Sequence, residues 1–186
     1  MKSGGPDNSN RRAPGAIPDN IFLIGLMGAG KTTVGRLLAK RFDKVFYDTD
    51  QEIERRTGVK IPVIFEIEGE AGFRKRELAV LQELAGQQNI VLATGGGVVL
   101  SRPNREILRQ NGMVIYLRAT AGELWQRTRH NKNRPLLLTP DPLAKLKELF
   151  VERDPLYREV ADLVVDTNRQ SVRTLAMRLE ERLRQI

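Results

Sequence analysis

Gly25-Leu26-Met27-Gly28-Ala29-Gly30-Lys31-Thr32 follows the apolar run Ile21–Ile24 and precedes a segment in which Val34, Leu37, Leu38 and Phe42 recur at helical spacing. Strand, glycine-rich loop and helix stand in the order that a phosphate-binding loop requires, with its spacing of Gly, four residues, then Gly-Lys-Ser/Thr. A loop that wraps an anion turns its backbone N–H groups inward, so residues without Cβ are needed where the chain nears the oxygens or takes positive φ. The helix that follows offers unpaired N–H groups and the positive end of its dipole to the same anion. Gly28, Ala29, Gly30, Lys31, Thr32 and Thr33 are therefore expected to hold a nucleotide, with Lys31 reaching the β- and γ-phosphates and the Thr32 hydroxyl able to ligate Mg2+.

Working outward, the runs Val45–Tyr47, Ile90–Ala93, Met113–Leu117 and Leu163–Val165 are short, partly β-branched and fenced by turn residues, as buried strands are. Phe73, Val80, Leu81 and Leu84 fall at helical spacing. Thr120 with Glu123 forms a capping box, Asp141 before Pro142 an N-cap and first helical residue, and Ser171 starts a last helix with the stripe Val172, Leu175, Leu179, Leu183 and Ile186. The alternation predicts an α/β fold with a mainly parallel sheet of five strands. The chain has 186 residues, the size of one domain. We place that domain at residues 21–186, after a tail at 1–20 in which eleven residues are Gly, Pro, Asn or Ser and disorder is expected.

Asp48-Thr49-Asp50 ends the second strand with carboxylates at i and i+2, both expected on one side at the carboxyl end, where open α/β sheets bind ligands. One can hold Mg2+ through water and the other can orient or deprotonate an acceptor hydroxyl. The local alternative is a capping box of Thr49 and Glu52. Gly95-Gly96-Gly97 directly follows the third strand, which suggests close approach of a ligand to backbone. Arg74 lies on a helical pattern, and taken alone fits a solvated face. Residues 127–140 form a basic, proline-bearing loop with the profile of an active-site lid. Its four cations between Arg127 and Arg134 face no acid within the loop, so their repulsion is expected to hold it open until a nucleotide arrives. Arg134 is a candidate arginine finger supplied in cis. Asp154-Pro155 is expected to end a helix, with Arg158 just beyond.

Composition narrows the chemistry. The absence of cysteine excludes disulfides, thiolate metal sites and a Cys nucleophile, and a single His excludes a multi-His metal site. A cytoplasmic setting is expected. No apolar run is long enough to span a bilayer. The net charge of +8 asks for an anionic partner, and residues 101–134 alone hold eight basic and two acidic side chains. Small phosphates and nucleic acid both fit, so a basic nucleic-acid-binding NTPase stays open beside a small-molecule kinase.

Taken together, the Gly25–Thr32 loop, Asp48-Thr49-Asp50, Phe73-Arg74, Thr94-Gly95-Gly96-Gly97, Arg134-Pro135-Leu136 and Pro155-Leu156-Tyr157-Arg158 resemble the shikimate kinases, small P-loop enzymes related to nucleoside monophosphate kinases. The resemblance spans about Asn20 to the C-terminus. It implies a three-layer P-loop kinase fold with a five-stranded parallel sheet in the order 2-3-1-4-5 and a mobile lid. It also implies transfer of the ATP γ-phosphoryl group to the 3-hydroxyl of shikimate, giving shikimate 3-phosphate and ADP, in aromatic amino-acid biosynthesis. It would put Asp50, Arg74, Arg158 and the triplet Gly95, Gly96 and Gly97 on shikimate, Arg74 and Arg158 pairing its carboxylate. Thr32 and Asp48 would serve Mg2+, Lys31 and Arg134 the phosphates, and Arg127 the adenine. Catalysis would fall to Asp50, Lys31 and Arg134. In the family the segment Arg169–Ser171 closes over adenine, and here no residue of it is assigned. The expected partners are shikimate and ATP, with no nucleic acid, no membrane and a monomeric chain. The residues agree independently, because a monoanionic polyol needs Arg for its carboxylate and Asp for its hydroxyls. Another polyol acid such as gluconate remains the alternative substrate.

Overall fold

The structure, a computed structural model, describes residues 16–131, 134–167 and 170–186. Its centre is a five-stranded sheet of β1 (Ile21–Ile24), β2 (Val45–Asp48), β3 (Ile90–Ala93), β4 (Met113–Arg118) and β5 (Leu163–Asp166). The order is β2-β3-β1-β4-β5 and every neighbouring pair is parallel. All four residues of β1 are fully buried, as the middle strand of a sheet covered on both faces requires. Asn20 fixes the start of β1: its Nδ2 donates to the carbonyls of Gln87 and Asn111 at 2.7 and 3.1 Å, and its Oδ1 accepts from Ile90 N. That anchor, with Ile17 packed on the core, starts the ordered domain before residue 21. The tail expected at 1–20 otherwise lies outside the described residues up to 15.

The helices are α1 (Lys31–Phe42), α2 (Thr49–Thr57), α3 (Ile61–Ala85), α4 (Arg102–Asn111), α5 (Ala121–Thr128), α6 (Pro142–Val160) and α7 (Val172–Gln185). Helix α1 packs with α7, while α4 touches both α3 and α6, giving helical layers about the sheet. The Thr120–Glu123 capping box, the Asp141 cap on Ala144 N at 2.9 Å and the Ser171 cap on Thr174 N at 3.1 Å are all formed.

Two local readings are corrected, and one break is added. Pro155 does not end a helix, because α6 continues to Val160; the carbonyl that loses its N–H partner belongs to exposed Val151, while Tyr157 and Val160 still pack inward. Asp48, not Thr49, caps α2, its Oδ1 accepting from the N–H groups of Asp50 and Gln51. Helix α3 is broken at Gly69, where φ is 70° and ψ −179°, so its two halves do not share one apolar stripe.

Candidate active site

A cleft of about 590 Å3 opens at the carboxyl edge of the sheet, between the ends of β1, β2 and β3, helices α3 and α6, and Arg127, Asn131 and residues 134–136. Gly28 and Gly30 take φ of 82° and 97°, which lets the loop after β1 curl back on α1. Gly25, with φ of 143°, passes so close to β4 that a Cβ would stand 2.5 Å from the Leu117 carbonyl oxygen. No side chain caps α1, and Gly30 is its N-cap, so the helix presents its first N–H groups to the cleft. Lys31 is buried with Nζ donating to the carbonyls of Gly25 and Leu26 at 2.6 and 2.9 Å. Burial pushes its pKa down to about 8; Arg134 and Arg153 push the same way, and Asp50 and Asp48 oppose them. Gly28, Gly30, Thr32 and Thr33 line the cleft. Ala29 does not: its side chain is in the core and its N–H is given to the Leu26 carbonyl.

The two acids lie on different elements, not on one strand as the i, i+2 spacing suggested. Asp48 ends β2, and Asp50 sits in the first turn of α2. Both face the cleft because the chain turns between them. Thr32 Oγ1 donates to Asp48 Oδ2 at 2.6 Å, which pairs two hard oxygen donors at the foot of the phosphate loop. No cluster of three or more acidic, His or Cys side chains forms a metal cage among the described residues. The pair fits Mg2+, which takes one or two protein oxygens and completes its shell with water and phosphate. Asp50 is half-buried, its Oδ1 is buried without a hydrogen-bond partner, and its pKa is pushed up to about 7. Burial is the largest cause, the charges of Asp48 and Glu77 add to it, and Lys31 and Arg134 oppose it.

The glycine triplet makes room for three side chains. Gly95 N–H donates to Thr49 Oγ1 at 2.9 Å, fixing the triplet to α2. A Cβ on Gly95 would stand 2.8 Å from Asp50 Oδ1 and 2.9 Å from Glu77 Oε1, and one on Gly97 would run into the Arg74 guanidinium. Gly96 faces the phosphate loop across Met27 N. Arg74 lines the cleft, paired with Glu77 at 2.9 Å and Glu70 at 3.0 Å.

Arg158 is not part of this wall. It is exposed and donates to Asp154 at 2.7 Å. Arg153 lines the cleft instead, 3% exposed, with Nε and Nη1 lacking hydrogen-bond partners. Five residues along a helix are about 140° around it, so the two arginines of α6 cannot share a face. Glu77 also escaped sequence reasoning; it is fully buried, one oxygen on Arg74 and the other without a partner, and burial pushes its pKa up.

In the lid segment Arg134 lines the cleft with a buried Nε, and burial lowers its pKa against the pull of Asp50 and Asp48. The acids that act on Arg134 stand across the cleft rather than within the loop, so repulsion among the loop's cations is not the only charge effect on it. Residues 132 and 133 lie outside the described residues. Arg127 Nη1 donates to the Gly28 carbonyl at 3.2 Å and to Thr167 Oγ1 at 3.3 Å. It also borders a second hollow of about 520 Å3, together with Thr120, Gln126 and Gln170. Of the segment Arg169–Ser171, Arg169 is outside the described residues and Gln170 is the part that reaches this hollow.

A phosphate loop at the middle strand, a metal-suited oxygen pair, a carboxylate with one oxygen buried and unpartnered, and a wall of cations define a P-loop kinase acting on a small anionic acceptor. Comparison with known proteins bears this out. The family model for shikimate kinase matches residues 27–184. A shikimate kinase of Thiobacillus denitrificans is 69% identical over 83% of this chain and 84% of its own, and one of Nitrosospira multiformis is 62% identical over 90% and 86%. The structure of shikimate kinase from Acinetobacter baumannii in complex with shikimate superposes with a TM-score of 0.87 at 52% identity, covering 89% of this chain and 92% of that one. The chain belongs to the shikimate kinase family, and it is an ATP-dependent kinase.

Proposed function

We propose that the cleft moves the γ-phosphoryl group of ATP to the 3-hydroxyl of shikimate with Asp50 receiving the hydroxyl proton. The observation that carries this assignment is Asp50 Oδ1, buried, without a hydrogen-bond partner and shifted to about 7, between the phosphate loop and the glycine triplet. A base poised near the working pH loses little to the wrong protonation state. The O3–P bond forms as the bond from the γ-phosphorus to the bridging oxygen breaks, the proton passes to Asp50, and the electron pair leaves on ADP. Lys31 and Arg134 stand on the phosphate side and offset the charge of the transferring group. Thr32 and Asp48 would hold Mg2+, which when bound neutralises phosphate oxygens. Arg74 and Arg153 flank the acceptor side and pair its carboxylate, a forked geometry that Lys does not reproduce. Arg127, with Gln170 beside it, takes the adenine.

Residues 127–140 act as the lid, closing Arg134 onto the γ-phosphate. A single chain supplies every group named, which supports a monomer, and ATP as donor supports a cytoplasmic setting. Among the described residues no helix is long and apolar enough to cross a membrane. The test is a coupled ADP-release assay with shikimate and gluconate in parallel, with the product identified by mass. Turnover of shikimate to its monophosphate, lost in Asp50→Asn while Mg·ATP still binds, is expected. Equal turnover of gluconate overturns the acceptor assignment.

A further inference from the structure

Tyr157 is one of the largest fully buried side chains of the molecule, yet its hydroxyl reaches the wall of the cleft. It donates a hydrogen bond to the carbonyl oxygen of Gly96, the middle residue of the glycine triplet. Its ring lies against Tyr116 of β4, with centroids 4.8 Å apart, and the Tyr116 hydroxyl is itself held by Asp154 at 2.8 Å. The ring is therefore fixed by the core, and the hydroxyl is a fixed point.

One turn earlier on the same face of α6 is Arg153, since residues four apart on a helix are neighbours. Arg153 is buried, has nitrogens without partners and lines the cleft. The Arg153 charge acts on the Tyr157 hydroxyl, against the upward push that burial gives the phenol. A long side chain with unpartnered nitrogens has several rotamers to choose from, and holding one of them before a ligand arrives lowers the entropy that binding must overcome. The triplet has the same need, because three consecutive glycines are the least constrained backbone a chain can offer.

We propose that Tyr157 is a positioning residue for the acceptor, its hydroxyl holding the Gly96 carbonyl and its fixed ring standing one helical turn from the buried Arg153 on the same face of α6. It touches neither substrate. The inference rests on the acceptor side of the cleft as assigned above, and it explains why a tyrosine stands where the packing alone would accept phenylalanine.

Tyr157→Phe keeps the ring and its contact with Tyr116 and removes one oxygen. Binding of shikimate and of Mg·ATP is measured by titration calorimetry, and KM and kcat by the coupled assay, at a temperature where circular dichroism shows both proteins folded. Shikimate affinity is expected to fall about tenfold, equal to about 1.4 kcal/mol, with kcat lowered less and Mg·ATP affinity unchanged. A hydroxyl that serves packing alone would lower the melting temperature and leave shikimate affinity where it was, which overturns the proposal; so does an equal loss for both substrates. Arg153→Lys, alone and combined with Tyr157→Phe, completes a cycle in which the double variant should lose less than the two single losses combined, because both disturb one arrangement. Strict additivity overturns the coupling. Failure of wild-type protein to bind shikimate would count against the acceptor assignment, whereas normal wild-type binding that Tyr157→Phe retains counts against Tyr157 alone.

Discussion

Asp50 carries the sharpest consequences for a single side chain. Its pKa is raised from 3.8 to about 7, burial first and the charges of Asp48 and Glu77 next. As the proton acceptor it must be ionised, so kcat/KM for shikimate should fall with a slope of one proton below about pH 7. Glu77→Gln removes one of the like charges and should move that limb to lower pH, read from a pH–rate profile; an unmoved limb means that Asp50 does not set it. The same shift is a statement about stability. A carboxyl whose folded pKa lies above its unfolded value favours the fold fully below the unfolded pKa, and that contribution is lost as pH rises through the folded one. Ligand-free protein should therefore bear the whole cost of the buried charge above about pH 7, up to a few kcal/mol. Asp50→Asn is expected to lower kcat by about 10²–10⁴-fold and yet raise the melting temperature by several degrees at pH 8, the gain shrinking toward zero near pH 4. A gain that stays the same at both pH values would contradict the charge penalty.

At the scale of elements, the loop after β3 is built around what its glycines leave free. Gly97 has φ of −92°, which alanine adopts without strain, and the atoms a Cβ would meet are the flexible tip of Arg74. Gly97→Ala should accordingly fold with a melting temperature within a degree or two of wild type while displacing Arg74, raising KM for shikimate about tenfold and leaving KM for ATP alone. An unchanged shikimate KM would remove Arg74 from the acceptor site. The five strands and the caps at Thr120, Asp141 and Ser171 were legible because each rests on a local pattern: a short apolar run, or an oxygen three residues before an N–H. Helix α4 was not, since Ile107 and Leu108 are too few to show a period, and its buried face is completed by Asn104, whose Nδ2 bonds the Val98 carbonyl. The site was legible where a motif is contiguous, in the phosphate loop, Asp48 to Asp50 and the glycine triplet. It was misread on α6, where the row Leu146, Leu149, Arg153, Tyr157 and Val160 is buried throughout. A cation inside an apolar stripe was the available signal, and Glu77 between Phe73 and Val80 on α3 repeats it. Propensity and spacing describe such rows as core; only the third dimension shows that their charged members open into a cleft.

Across the whole molecule, the cleft gathers residues from Met27 to Arg153, and their charges act on one another as a set. Lys31, Arg134 and Arg153 face Asp48, Asp50 and Glu77: the two aspartates raise the pKa of Lys31, Lys31 and Arg134 lower that of Asp50, and Arg153 lowers that of Glu77. Arg134 has two separable tasks in this arrangement. On the phosphate side it stabilises the transferring group, so Arg134→Ala should lower kcat on the order of 10³-fold with little change in ADP affinity. On the acid side its charge lowers the pKa of Asp50, so the same variant should also move the acidic limb of kcat/KM to higher pH, opposite in direction to Glu77→Gln. Lys31 should respond as well, because losing a neighbouring cation raises its pKa back toward that of an ordinary lysine and leaves it more fully protonated at pH 8. Profiles of the two variants and wild type, recorded at one ionic strength because these charges are partly screened, separate the tasks. Opposite displacements of the limb with a large fall in kcat for Arg134→Ala alone would establish one coupled charge set spanning lid and acceptor. A fall in kcat with an unmoved limb would confine Arg134 to the phosphates, and a kcat within a few-fold of wild type would remove it from the mechanism.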